Sequence, residues 1–446
     1  MNSIADIAAR LQGYDPDALH ADKVREFLDT LVEPVTQTEE LPILAALGRV
    51  LAHDVVSPIS VPPHDNSAMD GYAFDGAALQ PGEPLRLRVV GTALAGKAWS
   101  GTVGAGECVR IMTGAILPAG LDTVVPQEFT SMEGDAVVVP AGVVQRGDNR
   151  RLMGEDLRQG YPALQKGELI TPAAQGLVAS LGLGTVHVTR RLRVAYFSTG
   201  DEILSIGQPP REGAVYDSNR YTVLGMLTRL GCEVLDLGVV RDDPLLLEQA
   251  FTQAAAQSDV VITSGGVSVG EADFTKAMMR QLGDVAFWKI AMRPGRPMAV
   301  GRIAASKSTS SPHKDCVDSY ENGSNSQQRS ALLFGLPGNP VAVMVTFLAF
   351  VRPALLRMMG ARTTAPLLLQ AHSTEALRKK PGRTEYQRGV VSLGADGRLQ
   401  VRTTGNQGSG VLSSMVQANG LIVLSHTQGN VVAGDLVSVL MLDAVL

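Results

Sequence analysis

The feature that most constrains this chain is a change of period at Arg191. From there, short apolar runs alternate with helix-like stretches. Arg193–Ser198, Glu233–Val240, Asp259–Thr263, Val285–Ile290 and Leu332–Phe334 read as strands; Asn219–Leu230, Leu245–Ala256 and Phe274–Leu282 read as helices. Such alternation predicts βαβ units, a mostly parallel sheet and right-handed connections. In an open sheet of that kind, ligands bind beyond the carboxyl ends of the strands. Four turns follow those ends: STGDE (Ser198–Glu202), RDDP (Arg241–Pro244), SGGVSVGEAD (Ser264–Asp273) and GLPGNP (Gly335–Pro340). They are expected along one edge, however far apart in sequence.

The rest of the 446 residues divides around this unit. A length like this suggests about three domains or a few small ones. Helical patterns occur near Val24–Leu31, Leu41–Leu51 and Pro172–Leu183. Turn-rich sequence from Val61 leads into short β-like runs at Leu85–Val90, Glu107–Met112, Thr123–Gln127 and Ala136–Val139. The expected organisation is a discontinuous N-terminal unit (1–60 with 150–190) and an inserted small β domain (61–149). An α/β domain (191–360) and a C-terminal β domain (361–446) with barrel-like character complete it. The fold class is therefore multi-domain α/β plus β. A polar tract at 304–330, rich in Ser, Asn and Gln, reads as an exposed mobile loop. A hairpin turn is expected at Asp396–Gly397.

Composition excludes several classes. The net charge of −5, from 39 basic and 44 acidic residues, argues against a general nucleic-acid coat. The cysteines Cys108, Cys232 and Cys316 form no CxxC, and the seven histidines are scattered, so a zinc ribbon or disulfide framework is not expected. Free cysteines in a reducing cytoplasm are. The first thirty residues hold charges throughout and no apolar signal core. Ala331–Val351 is uncharged and long enough to span a bilayer, but LPGNP interrupts it. It reads as a strand, a turn and a core helix, so no membrane association is expected.

The chemistry concentrates on the α/β edge. Glycines in SGGVSVGEAD let the backbone approach an anion at a helix start; a tight βα turn is the alternative. Ser198, Thr199 and Gly200, with Ser264, Gly265, Gly266, Ser268 and Gly270, are the candidate substrate contacts. Asp201, Glu202, Asp242, Asp243, Glu271 and Asp273 recur at the same edge. Carboxylates converging beside phosphate call for Mg²⁺, although DDP before a helix equally suits Asp242 or Asp243 as an N-cap. RPGRP sets Arg293 and Arg296 around a rigid turn, a good oxyanion partner. A second basic set is Arg378, Lys379, Lys380, Arg383 and Arg388. Solvated surface charge is the alternative for both. In the β domain, HDNSAMDGYAF groups Asp65, Asn66, Ser67 and Asp70, or forms an Asx-turn loop.

The ordered motifs DNSAMDGYA, RIMTGA, NRRLMGED, STGDEIL, YDSNR, RDDP, SGGVSVGEADFTK, RPGRP, GLPGNPVA, PGRTEYQRG and TTGNQGS resemble the MoeA-type molybdopterin molybdenumtransferases, and are similar to the C-terminal domain of gephyrin. The resemblance spans about residues 30–446. It implies transfer of molybdate onto adenylylated molybdopterin with Mg²⁺, release of AMP, and a homodimer with its site between subunits. It further implies catalytic Asp70, Thr113, Asp156, Glu202, Asp242 and Asp273, with Glu202, Asp242 and Asp273 on the metal. Pro337, Gly338, Asn339 and Pro340 line the substrate, and Arg293, Arg296, Arg383 and Ser409 form a molybdate pocket. A molybdopterin adenylyltransferase and molybdoenzyme maturation proteins are the implied partners. Arginines in RPGRP stand where relatives commonly have lysines. A non-catalytic scaffold and an adenylyltransferase are the alternatives.

Overall fold

A computed structural model describes residues 3–267, 274–305, 330–362 and 365–445. The expectations for Ser268, Gly270, Glu271, Asp273, Cys316 and most of the polar tract fall outside these residues.

The central domain follows its sequence period. Its strands are β1 (Arg193–Thr199), β2 (Glu233–Val240), β3 (Val260–Ser264), β4 (Gly283–Lys289), β5 (Pro297–Ala304) and β6 (Ser330–Leu336), in the sheet order β2-β1-β3-β6-β5-β4. Pairs β1–β2, β1–β3 and β3–β6 are parallel. β5 runs antiparallel to both β6 and β4. The sheet is thus parallel on the side that feeds the helices and closes with an antiparallel edge. Strand β5 escaped the sequence reading because Gly301 and Arg302 interrupt its apolar run.

The helices are α1 (Ser218–Arg229), α2 (Pro244–Gln257), α3 (Phe274–Leu282), α4 (Pro340–Thr346) and α5 (Arg352–Met358). Asp217 caps α1, its carboxylate accepting from Arg220 N at 3.0 Å. Asp243 caps α2, accepting from Leu245 N and Leu246 N at 3.0 Å each, and Pro244 follows at a position that needs no N–H donor. A π turn, Phe347–Val351, joins α4 to α5. Pro353 cannot donate to the preceding turn, and the wider winding accommodates it. The resulting helix Pro340–Met358 is long and apolar enough to cross a membrane, but most of it is buried inside the fold. The expected strand, turn and core helix are all present there.

Helices Ile4–Arg10 and Ala21–Leu31 pack in this same core. Phe27 meets Trp288 edge-on at 4.9 Å, and Ile4, Val24 and Leu31 share the hydrophobic cluster of Tyr196, Phe334 and Phe350. Thr38–Pro42 pairs antiparallel with Thr185–Thr189. The helix expected over Leu41–Leu51 does not form. That segment completes the strand, makes one 3₁₀ turn (Ile43–Ala45) and bends at Gly48, φ +73°. Backbone pairing with Thr185–Thr189 overrides the helical spacing of its leucines. A second hydrophobic cluster joins Leu51 and Val55 to Ile170, Val178 and Val188.

The inserted β region holds a six-stranded sheet built from Gly71–Phe74, Leu85–Ala93, Glu107–Ile111, Thr123–Pro126, Ser131–Glu133 and Ala136–Val139. In the C-terminal region five strands close a barrel. Thr384–Leu393 pairs with both Leu399–Thr403 and Gly420–Leu424, and Leu368–Ser373 and Leu436–Met441 complete the ring. The hairpin turn falls at Asp396–Gly397, with Gly397 at φ +77°.

Candidate active site

The parallel strands deliver their carboxyl-end turns to one cavity of about 640 Å³. Its walls include Ser198, Thr199, Gly200 and Glu202 after β1, Asp242 after β2, Ser264, Gly265 and Gly266 after β3, and Gly338, Asn339 and Pro340 after β6. The described residues of the four turns predicted to share an edge meet at this cavity. Glycine is required where they meet. Gly265 has φ +91°, and an added Cβ would lie 2.4 Å from the Thr199 carbonyl oxygen; at Gly266, φ +62°, it would strike the Thr275 side chain.

Buried hydroxyls support this wall. Tyr196 Oη lies 2.9 Å from Ser198 Oγ and 2.7 Å from Ser264 Oγ. Burial pushes the Tyr196 phenol well above its ordinary range, so it stays a neutral hydrogen-bonding group that fixes both serines. Of the paired aspartates, Asp243 is the helix cap and Asp242 faces the cavity. Glu202 folds over Gly200, where a Cβ would come within 2.6 Å of its carboxylate.

Four residues of YDSNR that sequence reasoning did not single out, Tyr216, Asp217, Ser218 and Asn219, line the cavity. Asp217 and Asn219 are both buried, and among the described residues Asp217 Oδ2 and Asn219 Oδ1 have no hydrogen-bond partner. Asn219 Nδ2 donates to the Gly338 carbonyl at 2.7 Å. The signal available was an Asx cap before a helix, which looked purely structural. Gly410 and Leu412 also reach the cavity from the C-terminal region.

Gly338 and Asn339 form a shared wall with a second pocket of about 390 Å³. Arg293, Arg296, Pro337, Arg383, Gln407 and Ser409 line it. RPGRP arrives there because Met292–Arg293 pairs with Thr384–Glu385 of the barrel. Gly295, φ +94°, allows the turn to press on α4, where a Cβ would meet Thr346 Oγ1 at 2.3 Å. Arg383 donates to Glu385 at 2.7 Å, which leaves Arg293 and Arg296 as the less committed cations. The second basic set is not uniformly surface charge: Arg388 and Lys379 are buried.

Asp70, Thr113 and Asp156 do not line either cavity of their own chain. All three are exposed. Asp70 Oδ1 accepts from Thr113 N and Thr113 Oγ1, each at 2.7 Å. These bonds, the backbone one first, hold the Asp70 carboxyl below the usual carboxylate range. Nearby, Asp65 accepts from Met153 N at 2.7 Å and from Arg150 Nε at 2.9 Å, so it ties the loop together. Burial pushes the thiols of Cys108 and Cys232 up to about 12, which removes both as nucleophiles at neutral pH.

A divalent cation suits the hard oxygen donors Glu202 and Asp242 in the larger cavity. Among the described residues, no set of three His, Cys, Asp or Glu side chains forms a cation site.

Comparison with known proteins agrees along the length of the chain. Residues 19–182 match the MoeA N-terminal region (domain I and II), residues 195–357 a probable molybdopterin binding domain, and residues 370–442 the MoeA C-terminal region (domain IV). The molybdopterin molybdenumtransferase of Haemophilus influenzae is 40% identical over 405 residues, 91% of this chain and 94% of that protein. Its namesake in Bacillus subtilis is 32% identical over 413 residues, 91% and 90% of the respective chains. A crystal structure of the molybdopterin biosynthesis moeA protein from Pyrococcus horikoshii OT3 superposes with a TM-score of 0.77 at 25% identity, covering 95% of this chain and 100% of that one. The chain belongs to the MoeA family of molybdopterin molybdenumtransferases.

Proposed function

We propose that this chain inserts molybdenum into adenylylated molybdopterin, taking molybdate as the metal source and releasing AMP. One observation carries the reading: a carboxylate-lined cavity and an arginine-lined pocket share the Gly338–Asn339 wall. A diphosphate-bridged ligand in the first would present its pterin end next to an oxyanion in the second.

The chain's own groups divide the work. Ser198 and Ser264, fixed by Tyr196, offer hydroxyls to phosphate oxygens, and the glycines admit close backbone approach. Glu202 and Asp242 would hold Mg²⁺, which neutralises charge on a diphosphate when bound. Arg293, Arg296, Arg383 and Ser409 hold molybdate, the arginines through paired donors. Water attacks the phosphoanhydride, so AMP departs and the pterin keeps its own phosphate; the two dithiolene thiols then replace one oxygen of molybdate, which leaves as water with their protons, and molybdenum keeps its oxidation state. No cysteine nucleophile is needed.

The reading includes a homodimer, with Asp70, Thr113 and Asp156 serving the cavity of a second copy. Turnover by Glu202→Gln and Asp242→Asn should fall on the order of 10²-fold, the usual loss when a preorganised electrostatic group is removed, with thermal stability unchanged. Mixing Glu202→Gln chains with Asp70→Ala chains should restore part of the turnover, because one of the two sites in a mixed dimer is then intact. Unchanged turnover in the single variants contradicts the cavity assignment. No recovery on mixing, with chain exchange verified, contradicts the shared site.

A further inference from the structure

Arg388 is 1% exposed, and among the described residues no carboxylate lies within ion-pair distance of it. A buried guanidinium without an acid is costly, so its contacts must account for it. Nε donates to Ser414 Oγ at 3.0 Å. Nη2 donates to the carbonyls of Asn406 and Gly408 at 3.3 and 2.9 Å. The backbone of Arg388 also clasps the Gln407 side chain, N donating to Oε1 at 2.7 Å and O accepting from Nε2 at 3.1 Å. From the other side, Val341 N donates to the Ser409 carbonyl at 3.1 Å.

These bonds share a chemical consequence. The carbonyls of residues 406, 408 and 409 are all occupied by donors from the protein. A carbonyl facing the arginine-lined pocket would repel an oxyanion there. With those acceptors engaged elsewhere, Gln407 and Ser409 line the pocket with the loop fixed in place. Burial, and then the nearby charge of Arg293, push the Arg388 guanidinium down to about 10. It therefore remains a cation at neutral pH and adds positive potential behind the same pocket.

We propose that Arg388 is a positioning residue for oxyanion capture, holding the 404–411 loop so that Ser409 and Gln407 meet molybdate while their neighbouring carbonyls are turned away. The proposal rests on the reading of the arginine-lined pocket as the molybdate site.

The test is isothermal titration of the full chain with molybdate and, separately, with AMP. Wild type, Arg388→Lys, Gln407→Ala, Ser409→Ala and the Arg388→Lys/Ser409→Ala double variant are compared, each with a thermal melt. Arg388→Lys keeps the charge and loses the fork. Its molybdate affinity should fall about tenfold, the scale of one charge-assisted hydrogen bond, and Gln407→Ala should follow it. AMP affinity should stay within about twofold, since AMP belongs to the other cavity. The double variant should bind molybdate no more weakly than Ser409→Ala, because both changes act through one loop. Wild-type affinity in Arg388→Lys and in Gln407→Ala overturns the proposal while leaving the pocket assignment standing. So does equal loss of AMP and molybdate binding, which marks a structural role only. Failure of the wild-type chain to bind molybdate overturns the pocket assignment, and the proposal with it.

Discussion

At the residue scale, neighbouring side chains of one type separate by role according to what the backbone offers them. Asp242 and Asp243 are adjacent, yet one caps α2 with both first-turn amides and the other faces a cavity. Sequence left that choice open because DDP suits either. Asp70 is a third case, exposed but chemically set by Thr113. A carboxylate whose folded pKa is depressed stabilises the fold at pH values above its unfolded pKa, and that contribution is lost as pH falls through the folded pKa. Thr113→Val removes the hydroxyl donor and keeps the amide donor. The Asp70 titration, followed by carboxyl ¹³C shifts, should therefore move up toward the ordinary carboxylate value, so that the stabilisation is smaller and its loss on acidification is complete at a higher pH. An unmoved midpoint would show that the hydroxyl bond does not form in solution.

At the scale of elements, the period of the sequence located every strand of the parallel half-sheet, because buried parallel strands read as apolar runs. It failed where neighbours decided the outcome. Leu41–Leu51 has helical spacing but lies against Thr185–Thr189, and pairing won. Strand β5 is masked by Gly301, a residue needed because a Cβ there would sit 2.2 Å from the Asp284 carbonyl oxygen. The site was legible to the same degree. The turns after β1, β2, β3 and β6 could be read as one edge from connectivity alone. Asp217 and Asn219 could not, since a capping motif gives no sign that a cavity opens beside it. Arg388 was legible only as one charge among five. The glycine turn supplies the prediction at this scale. Gly265→Ala adds a Cβ at positive φ against the Thr199 carbonyl, so it should cost about 1–3 kcal/mol in urea unfolding and weaken AMP binding. Stability equal to wild type would mean that the β1 and β3 tips separate more easily than the structure indicates.

At the scale of the whole molecule, the two cavities exist because separate domains meet at the central sheet. RPGRP reaches the barrel through Met292–Arg293, and Gly410 and Leu412 reach the larger cavity from the barrel side. No single domain supplies both the carboxylates and the complete basic pocket. That is why the arrangement fits joining a phosphate-bridged ligand to an oxyanion better than adenylylation alone, which has no use for the second pocket. It also separates this reading from a scaffold, which has no need of cavity carboxylates. The most direct measurement is AMP release by the wild-type chain supplied with adenylylated molybdopterin and Mg²⁺, with and without molybdate. The account predicts release that rises with molybdate and saturates. AMP release indifferent to molybdate, or none under either condition, would contradict it.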